Sequence, residues 1–172
     1  MPITPDQKDW TWVLTRPCPQ CGFDAGAFRW ADLPRLVREN AERWPAVLAR
    51  ADVRERPDDA TWSALEYGTH VRDVYRIFAA RLQLMLTQED PAFENWDQDR
   101  SAEEDRYADQ DPARVAAEIT ASASLIADAF AAVPTVALGR TGRRGDGSLF
   151  TVETLGRYML HDPVHHLHDV RG

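Results

Sequence analysis

Four of the five histidines of this 172-residue chain fall within its last stretch, Leu160-His161-Asp162-Pro163-Val164-His165-His166-Leu167-His168-Asp169-Val170. An imidazole can bind a divalent metal, move a proton near neutral pH, or sit hydrogen-bonded in a core. On a helix of 3.6 residues per turn, His161 and His165 project from one face a turn apart. His168 falls close to that face and His166 points well away from it. Two imidazoles at this spacing, with a third from a facing helix, make a three-nitrogen metal site with open positions. The fifth histidine, His70, lies upstream among apolar residues of another helix. The plainer alternative is a hydrogen-bonded core His70 and a polar helix end favoured by the dipole. The i, i+3 pair His165/His168 is a competing geometry. A buried, unpartnered imidazole costs free energy, which favours the ligand reading.

A metal so held lowers the pKa of a bound water or thiol, or polarises a carbonyl. Asp162, Asp169 and Asp73 are candidate acceptors for the imidazole N–H groups, with Asp73 read first as a solvated surface carboxylate. Tyr67 and Tyr158 lie near ligand faces as proton donors, or simply fill the core. Trp96 and Asp97 either wall the site or dock a loop. Cys18 and Cys21, in Cys18-Pro19-Gln20-Cys21-Gly22-Phe23-Asp24, resemble half of a zinc knuckle, but there is no second cysteine pair. A redox pair would sit at a helix start after a strand, a setting absent here. The preferred expectation is a tight turn with reduced thiols, with a redox or metal-contact role second.

The elements that must position these residues read as helices. The first begins near Asp32, with Pro34 in its first turn and a kink expected at Pro45. The second opens on a Ser63/Glu66 capping box and carries His70. The third starts at Asp111-Pro112 and ends before Pro134. The fourth runs from about Thr151 through the histidines, with Pro163 as the place where it would bend. Residues 1–28 form an extended, non-helical lead-in. Residues 87–111, acidic with three aromatics, form a long connection between helices 2 and 3 that docks in part. The glycine-rich residues 139–148 lack the ending of a phosphate loop and are read as a surface hairpin or loop. The expectation is an all-α, four-helix bundle in a single domain, 1–172, with the bundle at 29–170.

The net charge of −8, with no basic block, speaks against a nucleic-acid surface. No apolar run approaches a membrane span. The first residues have no signal-peptide core and two cysteines do not make a disulfide framework, so a cytoplasmic protein is expected.

Taken together, His70 in mid-helix 2, the His161-Asp-Pro-Val-His165-His166 motif and the Asn95-Trp96-Asp97 crossover resemble the DinB-like superfamily. The cysteine lead-in looks like that of a bacterial, actinobacterial branch. The resemblance implies an up-down-down-up bundle with a long helix 2–helix 3 crossover. It also implies a divalent metal (zinc, nickel or iron) held by one ligand from helix 2 and two, i and i+4, from helix 4. Carried over residue by residue, these are His70, His161 and His165. Relatives include enzymes that use a low-molecular-weight thiol such as mycothiol, and bundles that form homodimers. The function expected is a metal-dependent enzyme that activates a thiol or water against a small-molecule electrophile, as a thiol S-transferase, isomerase or hydrolase. The rival is a non-catalytic metal- or ligand-binding stress-response protein. An open pocket beside the metal would favour the first; a site closed by four protein ligands, for example with His168, would favour the second.

Overall fold

A computed structural model describes residues 9–172; residues 1–8 of the expected lead-in lie outside the described residues. The helices are α1 (Leu33–Ala41), α2 (Trp44–Leu48), α3 (Ala64–Thr87), α4 (Gln98–Glu104), α5 (Pro112–Ala131) and α6 (Val152–Asp169). α1 with α2, α3, α5 and α6 make the four-helix bundle, in which α5 and α6 each pack against both α1 and α3.

Local chemistry explains most helix starts. Ser63 and Glu66 cap each other's backbone at α3, with N–H···O distances of 3.3 and 2.8 Å. Asp111 caps α5 by accepting from Arg114 N–H at 2.7 Å, with Pro112 in the first turn. Thr151 and Thr154 cap α6 reciprocally, at 3.1 and 2.8 Å. Asp32 precedes α1 without capping it, because its carboxylate turns back to Arg29. The expected kink at Pro45 is a break. Proline has no N–H to return to the Ala41 carbonyl, so α1 ends at Ala41 and Pro45 sits in the first turn of α2.

A small sheet was not foreseen. β2 (Thr141–Arg144) and β3 (Leu149–Thr151) form the antiparallel hairpin of the glycine-rich stretch, and β1 (Ala92–Phe93) pairs parallel to β2. The crossover is docked at both ends, at its far end by Arg54, which donates to the Ala108 and Gln110 carbonyls at 2.6 and 2.9 Å. Arg140 donates to the Met85 and Gln88 carbonyls at 2.7 and 2.6 Å, and Arg81 donates to Glu94 at 3.0 Å. Beyond β1 the crossover folds into α4, capped by Asp97.

α6 runs through Pro163 as one helix, where a bend was expected. The buried Asn40 of α1 donates to the Pro163 carbonyl at 3.0 Å and accepts from Trp44 Nε1 and Tyr75 Oη, each at 3.2 Å. One amide thus ties α1, α2, α3 and α6 together behind the histidines. The lead-in lies along α6. Arg157 donates to the carbonyls of Ala25 and Phe28, while Val13 and Cys18 are buried. Among the described residues no helix is long and apolar enough to cross a membrane.

Candidate metal centre

Successive residues of a helix are turned by about 100°. α6 therefore offers two strips to a cleft of about 1080 Å³, one with His161 and His165 and the next with Asp162 and His166. The second strip meets α3. Asp162 Oδ1 lies 3.2 Å from His70 Nε2 and 3.6 Å from His166 Nε2. His70, Asp162 and His166 each bring one ligand atom to within 4.8 Å of the others. The first strip meets the lead-in, where Cys18, Cys21, His161 and His165 converge within the same limit. Cys18 Sγ is 3.6 Å from His165 Nδ1.

The expected set His70, His161 and His165 is thus divided between two clusters. His166 was expected to point elsewhere, and it faces His70. Asp162, expected as an acceptor for an imidazole N–H, lies within hydrogen-bond distance of His70 Nε2 and shares its cluster. His168 is exposed beside Asp169 and belongs to neither cluster. Cys18 and Cys21 sit in the expected tight turn with free thiols, and that turn lies beside the histidine pair. Spacing alone decides which residues share a strip; the rotation of α6 against its neighbours decides which strip faces α3. The Asp162/His166 pair had a legible signal, because it has the same i, i+4 spacing as His161/His165 and carboxylate is as good a ligand type as imidazole.

The neighbours of the His70 cluster hold it in place. Trp96 stacks on the His70 ring, 4.9 Å between centroids and 5° from parallel, and donates to Ser101 Oγ at 2.7 Å. Asp97 lines the cleft while accepting from Arg100 N–H at 2.9 Å. His166 Nδ1 lies 3.0 Å from Asp169 Oδ2, a carboxylate that orients the ring. Tyr67 lies 4.8 Å from the His166 ring, and burial pushes its hydroxyl up to about 12. Tyr158 Oη accepts from Arg144 at 3.1 Å, a guanidinium that Asp146 grips at 2.7 Å. Asp73 supports no imidazole; it binds Arg72 and accepts from Tyr107 Oη at 2.7 Å.

Burial and neighbouring groups shift the titration of residues in both clusters. Burial, then the neighbouring His165, pushes His161 down to about 4, so its imidazole is neutral at pH 7. Burial pushes Asp162 up, but its interactions with His70 and His166 outweigh it and leave the carboxyl at about 2. Burial raises Cys21 to about 11, although Phe23 N–H hydrogen-bonds to its sulphur.

The residues of the His70 cluster fit a divalent metal. Bonds of about 2.0–2.2 Å at octahedral to tetrahedral angles put neighbouring donors roughly 2.8–3.6 Å apart; two of the three separations here are 3.2 and 3.6 Å, and the third is within 4.8 Å. His70 is fully buried and presents Nε2, the nitrogen that faces Asp162, to this cluster.

Residues 28–170 match the family described as the DinB superfamily. The chain belongs to the DinB superfamily. No curated protein matches it. A solved structure that it resembles is YfiT from Bacillus subtilis, described as a probable metal-dependent hydrolase with an unusual four-helix bundle topology. The two are 20% identical, with a TM-score of 0.69 over 81% of each chain, a likeness of fold.

Proposed function

We propose that the protein is a divalent-metal-dependent enzyme that activates water or a small thiol against a small electrophile at His70, Asp162 and His166. The observation that carries this reading is a three-donor set, two imidazoles and a carboxylate, at a cleft large enough for a substrate. Such sets leave coordination positions open, whereas structural sites are closed by four protein ligands. A metal held there supplies Lewis acidity, which lowers the pKa of a bound water or thiol or polarises a carbonyl. The donor types suit zinc, nickel or iron(II).

The protein's own groups do the rest. Trp96 packs flat on His70 and excludes water from it, and Asp169 fixes the orientation of the His166 ring. Arg144, on the cleft wall, is placed to meet an oxyanion that develops as a carbonyl or phosphoryl centre is attacked. Tyr158, held by Arg144, stays protonated because burial raises its pKa, and it serves as a proton donor. Asp97, Asp99, Asp146 and Asp169 make the rim acidic, which selects neutral or cationic substrates over polyanions. Hydrolysis is supported by the description of YfiT. Transfer to a thiol such as mycothiol is supported only by the family resemblance.

Protein purified without a histidine tag should be tested by elemental analysis and by turnover of ester, amide and alkylating probes, with and without low-molecular-weight thiols. Turnover without thiol selects the hydrolase branch, and thiol-dependent loss of an alkylating probe selects the transferase branch. Metal content and turnover that survive His166→Ala unchanged would sink the proposal.

A further inference from the structure

We propose that Cys18, Cys21, His161 and His165 form a second, structural metal centre, a closed Cys2His2 zinc site that fastens the lead-in to α6. It is separate from the His70 cluster and does not depend on the activity proposed above. The zinc knuckle that lacks a second cysteine pair finds its other half in a histidine pair more than a hundred residues away. The spacings, two residues between the cysteines and three between the histidines, both fall within the ranges of tetrahedral zinc sites.

Three observations point to an ion. All four side chains bring one ligand atom within 4.8 Å of the others. His161 is 5% exposed, and its Nε2 has no hydrogen-bond partner among the described residues. His165 turns Nδ1 to Cys18 Sγ at 3.6 Å while its Nε2 lies 3.8 Å from Asp169 Oδ1, the outward carboxylate that ligating histidines commonly have.

The cysteine turn is built to present two sulphurs. Gly22 N–H donates to the Cys18 carbonyl at 2.9 Å and Cys18 N–H to the Phe23 carbonyl at 2.8 Å. Gly22 takes φ +74°, where a side chain would be strained. Phe23 N–H points at the Cys21 sulphur. Trp10 and Phe23 pack their rings about the two histidines at centroid distances of 5.2 to 5.4 Å, a largely apolar surround. Two thiolates and two imidazoles in a tetrahedron are the donor set that zinc prefers, and they leave no position for substrate. Zinc here would also hold Asp9, Trp10 and Gln20 of the lead-in as a wall of the cleft.

The test is cobalt(II) substitution of the full-length, untagged protein under reductant, read by absorbance and metal analysis. The wild type should show a thiolate-to-cobalt charge-transfer band and the intense visible bands of tetrahedral cobalt. Cys18→Ser and His161→Ala should each abolish the charge-transfer band or weaken it several-fold, and each should lower bound zinc by one equivalent. His166→Ala should keep the band in full while losing the other metal, so the two sites fail separately. If a cysteine variant does not fold, the wild-type spectrum still decides. Absence of the band, a Cys18–Cys21 disulfide in its place, or a band that disappears in His166→Ala and persists in His161→Ala overturns the proposal.

Discussion

The strip of α6 bearing Asp162 and His166 and the strip bearing His161 and His165 begin one residue apart and meet opposite partners. The first faces α3 and gains one imidazole, giving a three-donor set of oxygen and nitrogen at a substrate-sized cleft. The second faces the lead-in and gains two cysteines, giving a four-donor set that includes sulphur. Open three-donor sets suit chemistry and closed sulphur-rich sets suit architecture. Turnover, as proposed at the first, and a metal-held structure, as proposed at the second, would then share one helix. A helix can do this because its i, i+4 strips are independent surfaces that share one backbone.

The largest expected effect separates the strips at neighbouring residues. Asp162→Ala or His166→Ala should lower turnover by about 1,000-fold or more, on the order of 4 kcal/mol of transition-state stabilisation, with the cysteine-bound metal retained. His161→Ala should remove that other metal, and the residual activity should exceed that of Asp162→Ala. Equal losses in both variants would mean that the clusters act as one centre.

Next in size is Asn40→Ala, which leaves the Pro163 carbonyl, Trp44 and Tyr75 without their shared buried partner. A loss of about 3 kcal/mol is expected, or roughly 6–12 °C in Tm. Because this amide helps set the rotation of α6, affinity for both metals should fall together, unlike in the ligand variants. Calorimetry alongside metal titration checks it.

In the metal-free protein, His161 titrates at about 4 instead of its ordinary 6.5. Between those pH values the unfolded chain binds a proton that the folded chain does not. Stability is therefore full above pH 6.5 and is lost as pH falls toward 4, by at most on the order of 3 kcal/mol. Asp162, held down near 2, adds its loss only below the ordinary 3.8. Urea unfolding of chelator-treated protein at a series of pH values should show this slope, and His161→Asn should flatten it.

The smallest effect is expected at His168, exposed and outside both clusters. His168→Ala should leave metal content and turnover unchanged and shift stability by no more than about 0.5 kcal/mol. Loss of either metal in this variant would show that α6 is rotated differently from the arrangement described.

Helix starts were legible in the sequence because caps are local. Ser63 with Glu66, Asp111 with Pro112, and Thr151 place three helices with contacts spanning three residues. The hairpin at residues 139–148 was legible for the same reason, whereas the parallel pairing of β1 to β2 joins residues about fifty apart and has no local mark. The continuity of α6 through Pro163 was also hidden, since the supporting amide comes from Asn40, far away in the chain.

By itself the sequence determined a helical bundle, a metal-capable last helix, the upstream partner His70 and the family, because residue type, spacing and capping are properties of neighbouring residues. Tertiary structure alone decided which strip of that helix His70 would meet, and that the cysteine pair would lie beside His161 and His165. Those outcomes depend on the rotation of α6 about its own axis, which is set by packing against α1, α3 and the lead-in and is written in no short stretch of the chain.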